Sequence, residues 1–246
     1  MGRVKEEWME YMDNQAMYEW IEENYGDDAG EEGSDAWNEA VQAFEDYCEN
    51  QARLEQEAWE QDEYDYYLYL TLNDVDKIFY QEISNLKQLL ENSQAGLNNP
   101  TLCKMVYAHA VTILEVYLED MVKALIISNE GFLKNTIKNV KPFSDSRFKL
   151  GDISLEHDGI KKFVLRKLSD NLFHDIPKAI NIISGIIESK LSINIESICA
   201  ITATRHDIVH RNGKNKEGVA LVIDKSEAGR SIMTVESFAK ELRNAL

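Results

Sequence analysis

Ile201-Thr202-Ala203-Thr204-Arg205-His206-Asp207-Ile208-Val209-His210-Arg211-Asn212-Gly213 reads as the last turns of an apolar-periodic helix closed by an Asn-Gly stop. It carries two of the chain's five histidines, two arginines and an aspartate, a density of proton-transfer and phosphate-binding groups that no other stretch matches. Arg205 and His210 are five positions apart, hence roughly 140° around the helix and about 7.5 Å along it. They cannot share one hydrogen bond, but both can line one cleft. His206 and His210, four apart, lie on one face. His210 and Arg211 sit at the helix C-terminus, where the macrodipole favours cations. Imidazole passes protons near neutral pH, and guanidinium offers paired donors to a phosphate. The bland alternative is a charged helix end whose arginines cap carbonyls or pair with Asp207 while the histidines are solvated.

Working outward, this helix is expected to start near Asn194, with Ile195, Ile198, Cys199, Thr202 and Val209 inward. Downstream, Val219-Ala220-Leu221-Val222-Ile223 and Ser231-Ile232-Met233-Thr234-Val235 flank a turn-rich segment and predict a small β-hairpin. A short helix over 236–246 follows. Upstream, 101–128 is the longest apolar-periodic helix, with His109 and Glu115 as its notable polar members. His109 reads as a core or dimer-interface residue, and Glu115 as a solvated residue or a support for an active-site arginine. Thr71 with Asp74 predicts a capping box before a helix bearing Val75, Ile78, Phe79, Ile83, Leu86 and Leu90; the stretch 94–100 breaks it. Residues 134–149 predict a loop with a short helix, and helices are expected near 157–170 and 177–191, with Pro177 in a first turn. His157 and His174 have no companions.

The net charge of −18 is unevenly spread. Residues 1–65 hold 22 Asp/Glu against 3 Lys/Arg, whereas 134–216 hold 15 basic against 9 acidic. The acidic segment also contains all four tryptophans, too much apolar area for a disordered tail. Trp8, Met9, Met12, Ala16 and Trp20 predict a first helix stopped by Gly26. Ser34 caps a second, with Trp37, Val41, Phe44, Cys48 and Trp59 along its stripe and an ill-defined far end. The fold class is therefore mainly α-helical, with an acidic, aromatic-rich helical accessory region over 1–70 and a helical domain over 71–246. Cys48, Cys103 and Cys199 read as free thiols, and with no signal peptide and no apolar run of about 20 residues the expectation is a cytoplasmic protein without a membrane span. Met1-Gly2 suggests myristoylation, but Glu6 stands where that motif needs Ser or Thr.

The helix-end Arg-x4-His, with polar His206 after the Arg and Arg211-Asn212-Gly213 behind it, resembles the HEPN superfamily, the higher eukaryote and prokaryote nucleotide-binding helical bundles. The likeness runs over about 100–246 and is greatest to the branch found in antiphage defence and toxin–antitoxin loci. It implies an all-α HEPN-like bundle acting as a metal-independent endoribonuclease. Two chains bring their motifs to one composite cleft, so a homodimer and an RNA substrate are the expected partners. On this likeness Arg205 stabilises phosphate charge, His210 moves a proton or holds the 2′-hydroxyl, and His206 supports the geometry. The expected products are a 2′,3′-cyclic phosphate and a 5′-hydroxyl. Arg211, Lys214 and Lys216 are candidate RNA contacts, with Asp207 and Glu115 as support. A related toxin subgroup carries a modifiable Tyr two residues after the motif His; Asn212 stands there here, which puts that control in doubt.

Two other readings remain open. A non-catalytic HEPN dimer would bind nucleotides or RNA and scaffold a partner. A metal hydrolase is suggested by the His-x3-His spacing of His206 and His210, but Asp207 replaces the Glu of zincins and no histidine follows to complete three ligands. No metal or cofactor is expected. The acidic region reads either as a solvated helical hairpin or as a regulator, covering the basic stretch as a phosphate mimic or receiving an antitoxin or trigger protein.

Overall fold

Local side-chain caps fix where most helices begin. In the computed structural model, which describes residues 2–92, 99–154, 159–169, 173 and 175–246 but not the side chains of 2–13, 152 and 154, α1 spans Gly2–Tyr25 and α2 spans Asp35–Tyr69. Ser34 Oγ accepts from the Trp37 amide at 3.1 Å and starts α2. The expected capping box forms: the Thr71 amide donates to Asp74 at 3.2 Å and the Asp74 amide to Thr71 Oγ1 at 3.3 Å, opening α3, Leu72–Asn92. Asn99 caps α4, Pro100–Ser128, and Asn129 caps α5, Glu130–Asn139. Short α6, Leu150–Ser154, and α7, Gly159–Ser169, precede α8, Ile176–Ile187, which Asp175 caps with Pro177 in the first turn. The chain closes with α9, Glu196–His210, and α10, Lys225–Asn244. The expected break at 94–98 and the histidines at 157 and 174 lie outside the described residues.

The predicted β-hairpin is not there. Among the described residues the only β-type pairing is an isolated antiparallel bridge between Lys214 and Ala220, and residues 231–235 lie inside α10. The reason is periodicity: Ala228, Ile232, Val235, Ala239 and Leu242 are buried at helical spacing, and the Asp224 side chain caps the Glu227 amide at 2.7 Å. Ile232, Thr234 and Val235 are β-branched and favour a strand, but burial of the helical stripe overrides that preference.

Chain contacts divide the molecule into two compact units, residues 1–63 and 64–246. In the first, Ile21, Ala29 and Ala40 are buried and Met17, Trp20, Trp37 and Val41 pack around them. The α2 stripe is not buried throughout: Cys48 is exposed and Trp59 is 66% exposed. The expected α1 contacts of Trp8, Met9 and Met12 lie outside the described side chains.

In the second unit α4 is the axis, packed by α3 and α10 and also by α5, α8, α9 and α7. Tyr67 in the last turn of α2 is buried here, donating to Asp120 at 2.9 Å, and the fully buried Lys123 ammonium lies 4.1 Å from its ring centre and 2.8 Å from Glu119. Asp76 accepts from Tyr117 at 2.9 Å and Arg243 at 2.7 Å, tying α3, α4 and α10 together. Burial, reinforced by Asp76, pushes the Tyr117 phenol far above its ordinary range. Among the described residues no helix is long and apolar enough to cross a membrane.

Candidate active site

Only Ile198 and Ile201 of α9 are buried, so the helix rides on the domain surface and keeps most of its polar side chains accessible. Its contacts are with α4 and α10. Burial raises the Tyr107 phenol of α4, and the nearby Thr204 hydroxyl of α9 opposes the rise. The helix ends because Asn212 and Gly213 both adopt left-handed backbone, with φ of 53° and 72°. The Arg211 and Gly213 amides then both donate to the Asp207 carbonyl, at 3.2 and 3.1 Å.

Arg205 faces α4. Its Nη2 stands 3.5 Å from Glu115 Oε2, with the two side chains 22% and 19% exposed. Arg205 Nε and Glu115 Oε1 are both buried without a hydrogen-bond partner. Buried polar atoms of folded proteins are nearly always satisfied, so this ion pair has a donor and an acceptor with hydrogen-bonding capacity to spare. The Glu115 carboxylate thus lies against Arg205 and is largely covered by its neighbours.

The imidazoles of His206 and His210 are exposed, with ring centres 4.8 Å apart. Asp207 pairs with Arg211 one turn later, so this candidate RNA contact is already engaged by a carboxylate. Lys214 and Lys216 are exposed on the loop after α9, which the Leu221 amide closes onto the Gly213 carbonyl at 2.8 Å. Among the described residues no group of three His, Cys, Asp or Glu side chains converges as a metal site. Burial, and after it Asp175, raises the Cys199 thiol, which disfavours a thiolate nucleophile.

Beside Arg205 runs an apolar groove formed by Leu86 and Leu89 of α3, Leu102, Met105 and Val106 of α4, and Val209 of α9. His109 and Thr112 also line it, and they line a second hollow with Ile78 and Val116. Met105 is 63%, Leu89 51%, Val116 50% and Val209 49% exposed, which makes a continuous apolar surface of the kind that marks an interaction site. Two expectations change here. Val209 is not inward: it follows Arg205 by one turn on the face that borders the groove. Of the two readings of His109, core or dimer interface, only the core one falls: the side chain is exposed in the middle of this surface.

One neighbour went unseen in the sequence. The side chain of Lys104, near the start of α4, crosses the helix end so closely that a Cβ on Gly213 would lie 2.7 Å from its Nζ. Lys104 and Glu115 are eleven residues apart, just over three whole turns, so they share one face of α4. Asking what else lies on Glu115's face would have found it.

No curated protein and no solved structure matches the chain. The family described as RiboL-PSP-HEPN matches residues 80–246, a span that takes in α4, the Arg205–Glu115 pair, the whole of α9 and the closing helix α10. With the helix-end Arg-x4-His in place on an all-helical scaffold, the chain belongs to the RiboL-PSP-HEPN family of the HEPN superfamily.

Proposed function

We propose that this protein is a metal-independent endoribonuclease that works as a homodimer. The observation that carries the reading is the Arg205–Glu115 pair: a half-satisfied guanidinium, part-buried at the edge of an exposed apolar surface and one helical step from two accessible imidazoles. A second copy on that surface would exclude water from the guanidinium and bring two Arg205 and two His210 side chains to one cleft. Exclusion of water strengthens the attraction between guanidinium and phosphate.

In the proposed reaction the ribose 2′-oxygen attacks the adjacent phosphorus as the bond from phosphorus to the 5′-oxygen breaks. One imidazole takes the 2′-hydroxyl proton, and the leaving 5′-oxygen gains a proton from the partner's imidazole or water. Arg205 balances the charge that builds on the phosphate, and Glu115 sets its orientation. The products are a 2′,3′-cyclic phosphate and a 5′-hydroxyl. The setting that fits such an activity is a bacterial cytoplasm, where RNA cleavage by a toxin or antiphage effector halts growth. An antitoxin or trigger protein then has the acidic residues 1–65 as its candidate docking segment.

The test is to express wild type, Arg205→Ala and His210→Ala in cells and sequence RNA 5′-hydroxyl ends. Each substitution is expected to lower cleavage by about 10²–10⁴-fold while the dimer stays folded. Cleavage by purified protein should persist in EDTA. Equal 5′-hydroxyl ends from wild type and His210→Ala would sink the reading. One observation favours the non-catalytic alternative: neither His206 nor His210 has a hydrogen bond among the described residues to fix its tautomer. RNA binding without cleavage by the dimer would decide for that alternative.

A further inference from the structure

We propose that Lys104 is an RNA-binding residue of this site, gripping a phosphate some nucleotides away from the scissile one. The inference rests on the ribonuclease reading only for the identity of the ligand. Two contacts orient α4 against α9: Glu115 meets Arg205, and Lys104 meets Gly213. Moving forward along α4 therefore means moving backward along α9, so the helices are antiparallel with the motif lying between the two contacts. Lys104 and Glu115 are separated by about 16 Å along α4. A stacked strand advances about 3.4 Å per nucleotide, so the two positions on α4 stand about four to five nucleotides apart, with His206 and His210 lying between Arg205 and Gly213 in the chain.

The backbone of Gly213 bears on the same conclusion. Its φ of 72° disfavours any side chain, and a Cβ would meet Lys104 Nζ at 2.7 Å and Cε at 3.3 Å. The absent side chain is what lets the Lys104 stem lie over the helix end, directing its ammonium to the loop that carries Lys214 and Lys216. Among the described residues the ion pairs of this region are Arg205 with Glu115 and Arg211 with Asp207, and Lys104 enters neither. Its charge is therefore open to a phosphate, whereas that of Arg211 is partly spent on Asp207. Lysine suits this duty: a point charge on a flexible stem holds a phosphate without reading sequence.

The experiment measures binding of the full-length protein to a single-stranded oligonucleotide with 2′-O-methyl riboses throughout, which lacks the attacking hydroxyl. Affinity is followed against salt concentration for wild type, Lys104→Gln and Lys104→Arg. Gln keeps much of the stem over Gly213 and removes only the charge. One lost phosphate contact is expected to reduce the slope of log affinity against log salt by about 0.7, equally for different sequences. Lys104→Arg should retain the wild-type slope, and on cleavable RNA Lys104→Gln should raise KM with kcat unchanged. An unchanged slope in Lys104→Gln, with wild type still binding and cleaving, overturns this inference alone. A fall in kcat without a change in slope also overturns it, since Lys104 would then only shape the helix end. No salt-dependent binding by wild type would overturn both this inference and the ribonuclease reading.

Discussion

The two units are both helical, yet they use their helices in opposite ways. Among the described side chains of residues 1–63, Ile21, Ala29 and Ala40 are buried at the centre, with aromatic rings around them: Trp20 lies 5.6 Å from Phe44 and 5.3 Å from Tyr47. Residues 64–246 bury most of α4, including the Lys123 side chain, which reaches the partly exposed Glu119. Ring pairs each contribute about 0.5–1.5 kcal/mol, whereas a helix enclosed on most sides gains from every buried side chain. The first unit holds charge on a thin scaffold; the second has a core firm enough to keep an imperfectly satisfied arginine in place. The proposed chemistry, which needs fixed geometry, is placed in the second.

The comparison breaks most readily if the chemistry is not confined to residues 64–246. A chain lacking residues 1–63 keeps Tyr64, Tyr67 and Leu70, which are buried in the second unit. It is expected to fold and to cleave RNA at least as fast as the full chain, and His210→Ala should cost about 10³-fold in both forms. A faster truncated chain marks the acidic region as a restraint, and equal rates remove that role. Glu119→Ala takes a carboxylate from a buried ammonium and should destabilise the second unit by about 3 kcal/mol, seen as a shift of its urea transition alone. Trp20→Ala is its counterpart, lowering the first unit by about 2 kcal/mol and leaving RNA cleavage unchanged. A shift of both transitions by either substitution would show that the units do not unfold independently.

The smallest effect sharpens the picture at the start of α3. The Thr71 hydroxyl, then its amide, hydrogen-bond the Asp74 carboxylate and hold it below its ordinary range. A depressed folded-state value means that Asp74 stabilises the fold above the ordinary carboxylate range and loses that contribution as pH falls through the lower value. Thr71→Ala should cost about 1 kcal/mol near neutral pH, and Asp74→Asn should flatten the acid limb of the urea midpoint against pH.

What the sequence allowed one to read was set by distance along the chain. Ser34, the Thr71–Asp74 box and Pro177 act on neighbours within a turn, so the helix starts they mark were visible. The hairpin expectation failed because the strand propensity of Ile232, Thr234 and Val235 outweighed the longer helical stripe from Ala228 to Leu242 and the cap at Asp224. At the site, the His206–His210 face and the Asp207–Arg211 pair follow from four-residue spacing. The Arg205–Glu115 pair joins residues ninety positions apart, so its half-satisfied state needed the packing of α9 on α4. The outward-facing Val209 was hidden for the same reason, whereas Lys104 lies on the helix face of Glu115 and was within reach of the spacing.

The way α9 stops has a consequence for the protein's durability. Asn-Gly pairs age readily in open chains, because the glycine amide nitrogen attacks the asparagine side chain and releases ammonia. Here that nitrogen is occupied, donating to the Asp207 carbonyl at 3.1 Å. Conversion of Asn212 to an acidic residue, which isoelectric focusing would detect, should therefore be slow while α9 is folded and rapid once its end frays. The same turn that terminates the helix shields its neighbouring cations from a negative charge acquired with time.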